Sequence, residues 1–111
     1  MEMSVGEFID KYSIMKIRVG KRIIGSDEIK PFDKEYNELR TKYRKIPWEA
    51  LLDQVYNINN IIWGYENPIH EGQLTSEVMM AGVLALRVRE FNCLRLSMGK
   101  IINGLVKGYE L

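Results

Sequence analysis

Cysteine is almost missing from this chain: Cys93 is the only one in 111 residues, which excludes an intrachain disulfide and points to a reducing compartment. Histidine is equally scarce, and a lone His70 beside a lone cysteine excludes the usual Cys and His zinc centres. The three prolines are too few to interrupt long periodic segments, so helix is favoured. Charge of one sign is lacking as well. Sixteen Lys and Arg against fifteen Asp and Glu leave a formal +1, and no global field recruits nucleic acid or an anionic membrane. No apolar run reaches the ~18 residues that would span a bilayer. The acidic start Met-Glu-Met-Ser-Val-Gly does not read as a signal peptide, so a cytoplasmic location is expected. Also missing are a Gly-x-x-x-x-Gly-Lys-Ser loop, a Gly-x-Gly-x-x-Gly after a strand, a Gly-x-Ser-x-Gly elbow, internal repeats and any firm strand signal. Cys93 lies in an apolar helical context, where a packed thiol is expected and not a nucleophile.

What is present is helical periodicity. Apolar residues at 46% and charged residues at 28% fit one globular domain over residues 1–111. Ser4 and Glu7 are spaced as a capping box, and Val5, Phe8, Ile9, Tyr12 and Met15 then recur at threes and fours. This predicts a first helix from Val5 to about Ile24, closed by Gly25 with Gly20 as an earlier stop. Its polar set Glu7, Asp10, Lys11 and Ser13 reads either as a solvated face or, through Asp10 and Lys11, as part of a site. Pro31 opens a peripheral second helix carrying Phe32, Tyr36, Leu39 and Tyr43, ending at Arg44 or Lys45 in a basic cluster that suits a helix C-terminus. A third helix is expected from Trp48 to about Glu66, stopped by Asn67 and Pro68 ahead of a loop holding His70. The last should run from Thr75 or Ser76 to about Lys107. It is apolar nearly all round between Val78 and Val88, where a second copy of the chain is expected to supply part of the cover, and Met79, Met80 and Met98 suit such a contact. Beyond Val88 its buried side is expected to hold Phe91, Leu94, Met98, Ile101, Ile102 and Leu105, with Gly99 at a tight helix crossing. The fold class is therefore all-α: a small bundle of about four helices with a long C-terminal one, and homo-oligomeric.

Seven polar or aromatic residues fall on facing stripes of three helices: Asp10 and Lys11, then Asn59, Trp63 and Glu66, then Asn92 and Arg95. Arginine forks onto carboxylate or phosphate, asparagine both donates and accepts, and tryptophan offers a stacking face. The set suits a small anionic, nucleotide-like ligand, and it equally suits a buried structural network. A more distant reading takes Glu35, Glu38, Glu49 and Asp53 as carboxylates holding magnesium, as in the all-helical nucleoside triphosphate pyrophosphatases, although the spacing of the second pair differs.

The run Ser4-Val5-Gly6-Glu7-Phe8-Ile9-Asp10-Lys11-Tyr12-Ser13-Ile14 resembles the opening box of an uncharacterised all-helical bacterial family found near glycan-assembly genes. Val55 to Glu66 is similar to that family's Val-Asn-x-x-Ile-Trp-x-x-Glu, with one extra residue before the asparagine. Val88, Asn92, Arg95, Lys100, Ile102 and Asn103 are similar to its closing box, with the lysine displaced by one position and Gly99 in its usual place. The matching pieces cover about a third of the chain, in order. The resemblance implies an all-helical fold and no activity; the small size and the wealth of Lys, Ile, Asn and Tyr resemble a phage version. The expected function is non-catalytic binding of a small anionic ligand, for a phage a host signalling nucleotide, with Arg95 and Lys11 meeting charge and Trp63 stacking. The alternative is a helical module that docks on a partner protein. No cofactor, metal or catalytic residue is expected.

Overall fold

A computed structural model of the chain describes residues 3–70 and 78–110, with backbone alone for 66–70, 78–81 and 84. It is all-α: helices α1 (Val5–Gly20), α2 (Lys30–Lys42), α3 (Trp48–His70) and α4 (Val78–Glu110), with a 3₁₀ turn at Ser26–Ile29 between the first two. α1 and α3 run the same way, since Asn59 meets Asp10 while Trp63 lies near Lys21 a few turns on. α4 runs against both, with Asn103 beside Gly6 and Arg95 beside Asp10. α4 has 33 residues, roughly 50 Å of helix at 1.5 Å per residue, and this accounts for the long axis of a 53 × 31 × 23 Å molecule. Among the described residues no helix is long and apolar enough to cross a membrane.

The core joins Phe8, Ile9 and Tyr12 of α1 to Leu51, Leu52 and Val55 of α3 and Ile102 and Val106 of α4. α2 is held by aromatic side chains. The Tyr12 ring lies 5.0 Å from Tyr36, and Phe8 and Phe32 stack at 5.9 Å, each such pair adding about 0.5–1.5 kcal/mol beyond the area it buries. Long rings keep α2's backbone away from α1, as a thin apolar stripe requires. Below it, Trp48 donates through Nε1 to the Tyr43 carbonyl at 2.9 Å, which ties the end of α2 to the start of α3 across Ile46-Pro47.

Several expected boundaries move, for local reasons. α1 stops at Gly20 and not near Ile24. Arg22 adopts φ 60°, and the amides of Ile23 and Arg22 close on the carbonyls of Arg18 and Val19. This is a Schellman ending built on arginine where glycine is usual. α2 ends at Lys42, slightly early. α3 continues through Pro68 to His70, so His70 is helical; in a last turn proline removes only one backbone hydrogen bond. The expected start of α4 at Thr75 or Ser76, and the side chains of Val78, Met79 and Met80, lie outside the described residues.

Two burial expectations are corrected. Spacing places Leu94, Ile101 and Leu105 on the core side of α4, but all three are exposed, 40–52% open. They sit at the edge of a stripe whose centre is Ile102 and Val106, and α1 and α3 cover only that centre. Cys93 is exposed and not packed.

Candidate functional site

α1, α3 and α4 converge on a polar junction. Ser4 caps α1 by accepting the Glu7 amide at 3.2 Å, which satisfies one of the free first-turn amides of the helix. A second first-turn amide, that of Gly6, donates across the bundle to Asn103 Oδ1 at 2.7 Å, and Asn103 Nδ2 reaches Ser4 Oγ at 3.3 Å. One asparagine of α4 thus completes the cap of a helix 97 positions earlier in the chain. It can do so because α1 and α4 touch backbone to backbone: a Cβ built on Gly6 would lie 2.3 Å from the Gly99 carbonyl oxygen.

One turn further along α1, Asn59 of α3 is buried and donates through Nδ2 to Asp10 Oδ1 at 2.8 Å and to Ser13 Oγ at 2.7 Å. Ser13 in turn donates to the Asp10 carbonyl at 2.6 Å. Arg95 of α4 completes the group, its Nε 3.7 Å from Asp10 Oδ1 in a partly exposed ion pair. Ser13, one of the polar positions that could have been a solvated face, is fully buried as the hinge of this network. α1 contributes Asp10 and Ser13, α3 contributes Asn59 and α4 contributes Arg95, and no buried side-chain polar atom of the four is left without a partner, as burial demands.

The seven residues singled out by spacing do not share one place. Asp10, Asn59 and Arg95 meet. Lys11 points to solvent on the outer side of α1, one residue round the helix from Asp10. Trp63 is half-buried near the end of α1, with Lys21 Nζ 5.6 Å from its ring centroid, and does not line the junction. Asn92 is half-buried one turn from Arg95. The side chain of Glu66 lies outside the described residues. Missed by spacing were Gly6, Ser13 and Asn103; the signal for the first two was present, since a glycine in the first turn of a helix and a serine on its apolar side both ask for an explanation.

Beside the junction is a notch of about 200 Å³ between the start of α1 and α4, lined by Glu7, Asp10, Arg95, Lys100 and Asn103 among others. Its charges are balanced, two acids against two bases. The four carboxylates considered for magnesium do not assemble. Glu49 is taken by Arg40 at 2.9 Å, and among the described residues no three His, Cys, Asp or Glu side chains stand close enough to hold a metal.

The other conspicuous surface is the outward face of α4. Val83, Arg87, Glu90, Leu94, Ser97, Ile101, Gly104 and Gly108 follow one another at alternating steps of four and three, and every one is exposed. A Cβ on Gly104 or Gly108 would meet nothing within 4 Å, so no contact inside the molecule accounts for two glycines in a helix, each costing about 1 kcal/mol relative to alanine. Compared with protein-family models, curated proteins and solved structures, the chain matches none, so its function has to be read from its own surfaces.

Proposed function

We propose that this protein is a helical interaction module that works as an antiparallel pair of copies joined along α4. The observation that carries the reading is the exposed row on that helix. Its steps of four and three are the 3.5-residue repeat by which two helices stay in contact over many turns. The row is also complementary to itself when reversed. Turned about a two-fold axis between Leu94 and Ser97, Val83 faces Gly108 of the second copy, Arg87 faces Gly104, and Leu94 faces Ser97. In these three pairs a larger side chain of the first half meets a small one of the second, while in the fourth Glu90 faces Ile101, so the patch pairs with itself as an isologous contact requires. Arg87 and Glu90 already neutralise one another at 3.2 Å, so covering them strands no lone charge. The row from Val83 to Gly108 is roughly 38 Å long at 1.5 Å per residue, and at 10–12 Å wide it gives on the order of 750–900 Å² over the two copies, the size of a small, weak interface.

Light scattering after size exclusion tests this directly. The wild type should elute as a pair of 13.0 kDa chains. Gly104→Lys, which sets a long cation against Arg87 of the other copy, should elute as a monomer with its helicity and melting temperature retained. A monomeric wild type at micromolar concentration, or a Gly104→Lys protein that still pairs, would sink the proposal.

A second reading, small-anion binding, is favoured by the meeting of Arg95 and Lys100 in the notch at the start of α1. At about 200 Å³ the notch suits a phosphate-sized group, and Trp63 is not at hand to stack a base. Phosphate and nucleoside monophosphates should then raise the melting temperature, and Lys100→Ala should abolish the rise. The absence of any shift at millimolar concentration would remove this reading.

A further inference from the structure

A separate cleft of about 540 Å³ opens between α1, α2 and the first turns of α3, a volume typical of small-molecule sites. Its walls include Lys16 of α1, Asp33, Tyr36 and Arg40 of α2, and Glu49 and Asp53 of α3. Three of these groups are already engaged. The Tyr12 hydroxyl donates to Asp33. Arg40 bonds Glu49 at 2.9 Å and lies 5.7 Å from the centroid of the Tyr36 ring.

Three groups are left over. Tyr36 is 6% exposed, and its buried hydroxyl has no hydrogen-bond partner, a state that native interiors rarely tolerate without a role. Burial raises the Tyr36 phenol above its ordinary range, with Arg40 opposing and Glu49 and Asp53 adding to the rise, so it offers a neutral O–H beside those carboxylates. Lys16 lies 5.2 Å from the centroid of the Tyr12 ring. Among the described residues, no carboxylate comes within ion-pair distance of Lys16 and no cation within that distance of Asp53. One charge of each sign and one buried donor therefore share a cleft without meeting one another.

We infer that this cleft binds a small zwitterion of the α-amino acid class, its carboxylate held by Lys16 and the Tyr36 hydroxyl and its ammonium by Asp53. A simple anion would face three carboxylates against two cations. A simple cation would leave Lys16 and the Tyr36 O–H unanswered. A ligand carrying both charges answers all three groups at once, and the charge-assisted bonds it makes are the strong kind.

Calorimetric titration of the whole chain with each standard α-amino acid, and with ethylamine and acetate as single-charge controls, tests the assignment. At least one amino acid should bind in the micromolar to millimolar range, with both controls about tenfold weaker or more. Tyr36→Phe should weaken that binding about five- to tenfold, the worth of one hydrogen bond, while the free protein melts no lower than the wild type. Asp53→Asn, at an exposed position, should weaken it about tenfold or more with the fold unchanged. Silence from every amino acid at millimolar concentration would overturn the inference. So would binding that survives both substitutions unaltered, or controls that bind as well as the zwitterions.

Discussion

Gly6→Ala is expected to destabilise the protein by about 3 kcal/mol, at the upper end of what overpacking usually costs. The added methyl would sit 2.3 Å from the Gly99 carbonyl oxygen and 2.9 Å from the Gly99 carbonyl carbon and Cα. All three are backbone atoms of a helix, so no side chain can swing aside; α1 and α4 must separate. Separation stretches the 2.7 Å bond from the Gly6 amide to Asn103, and an unsatisfied helix-end donor adds to the cost. Gly99→Ala is the matched control. Its Cβ would meet nothing within 4 Å, so it should be neutral or stabilising by up to about 1 kcal/mol through helix propensity. Urea unfolding followed by circular dichroism reads both. Equal effects at the two positions would mean that the helices do not cross as described.

Asn59→Ala should cost about 2–4 kcal/mol, combining a cavity with the loss of two interhelical hydrogen bonds. From α3, Asn59 donates to both Asp10 and Ser13, at 2.8 and 2.7 Å. Without it the Ser13 oxygen loses its donor in a fully buried position, and Asp10 keeps only the more distant Arg95 at 3.7 Å. Asp10→Ala alone should cost less, because Asp10 is partly exposed and Asn59 retains Ser13. A double-mutant cycle between the two positions should give a coupling of about 1 kcal/mol. Strict additivity would show that the junction is a set of independent contacts and not a network.

These two residues also show how far linear spacing could reach. Asp10, Asn59 and Arg95 were legible because each stands on the edge of an apolar stripe, where a polar side chain must face a neighbouring helix or water. Lys11 and Trp63 sit on similar stripes, yet one points outward and the other is half-buried near Lys21. Period alone gives the direction of a side chain around its own helix axis and says nothing of how far along that axis the neighbouring helix places its partner. The same limit explains Leu94, Ile101 and Leu105. Helical repeats count apolar residues on a face, but how much of that face is covered depends on the width of what packs against it. The orphan Tyr36 hydroxyl could not be read at all, since tyrosines on an amphipathic stripe repeating at threes and fours are ordinary core residues until their hydroxyls are traced.

By itself the sequence determined the helical class, the approximate extents of the first three helices and the C-terminal end of the fourth, the Ser4 cap, the Pro31 start of α2 and most of the core, because these follow from periodicity and from the chemistry of helix ends, which are local. Only the tertiary structure decided that Gly6 and not Gly99 is the residue that must lack a side chain, that Asn103 completes the cap of α1, and that a row of α4 remains uncovered. Each of those depends on the separation and axial offset of two helices far apart in the chain, and that geometry is fixed by the packing of all of them together.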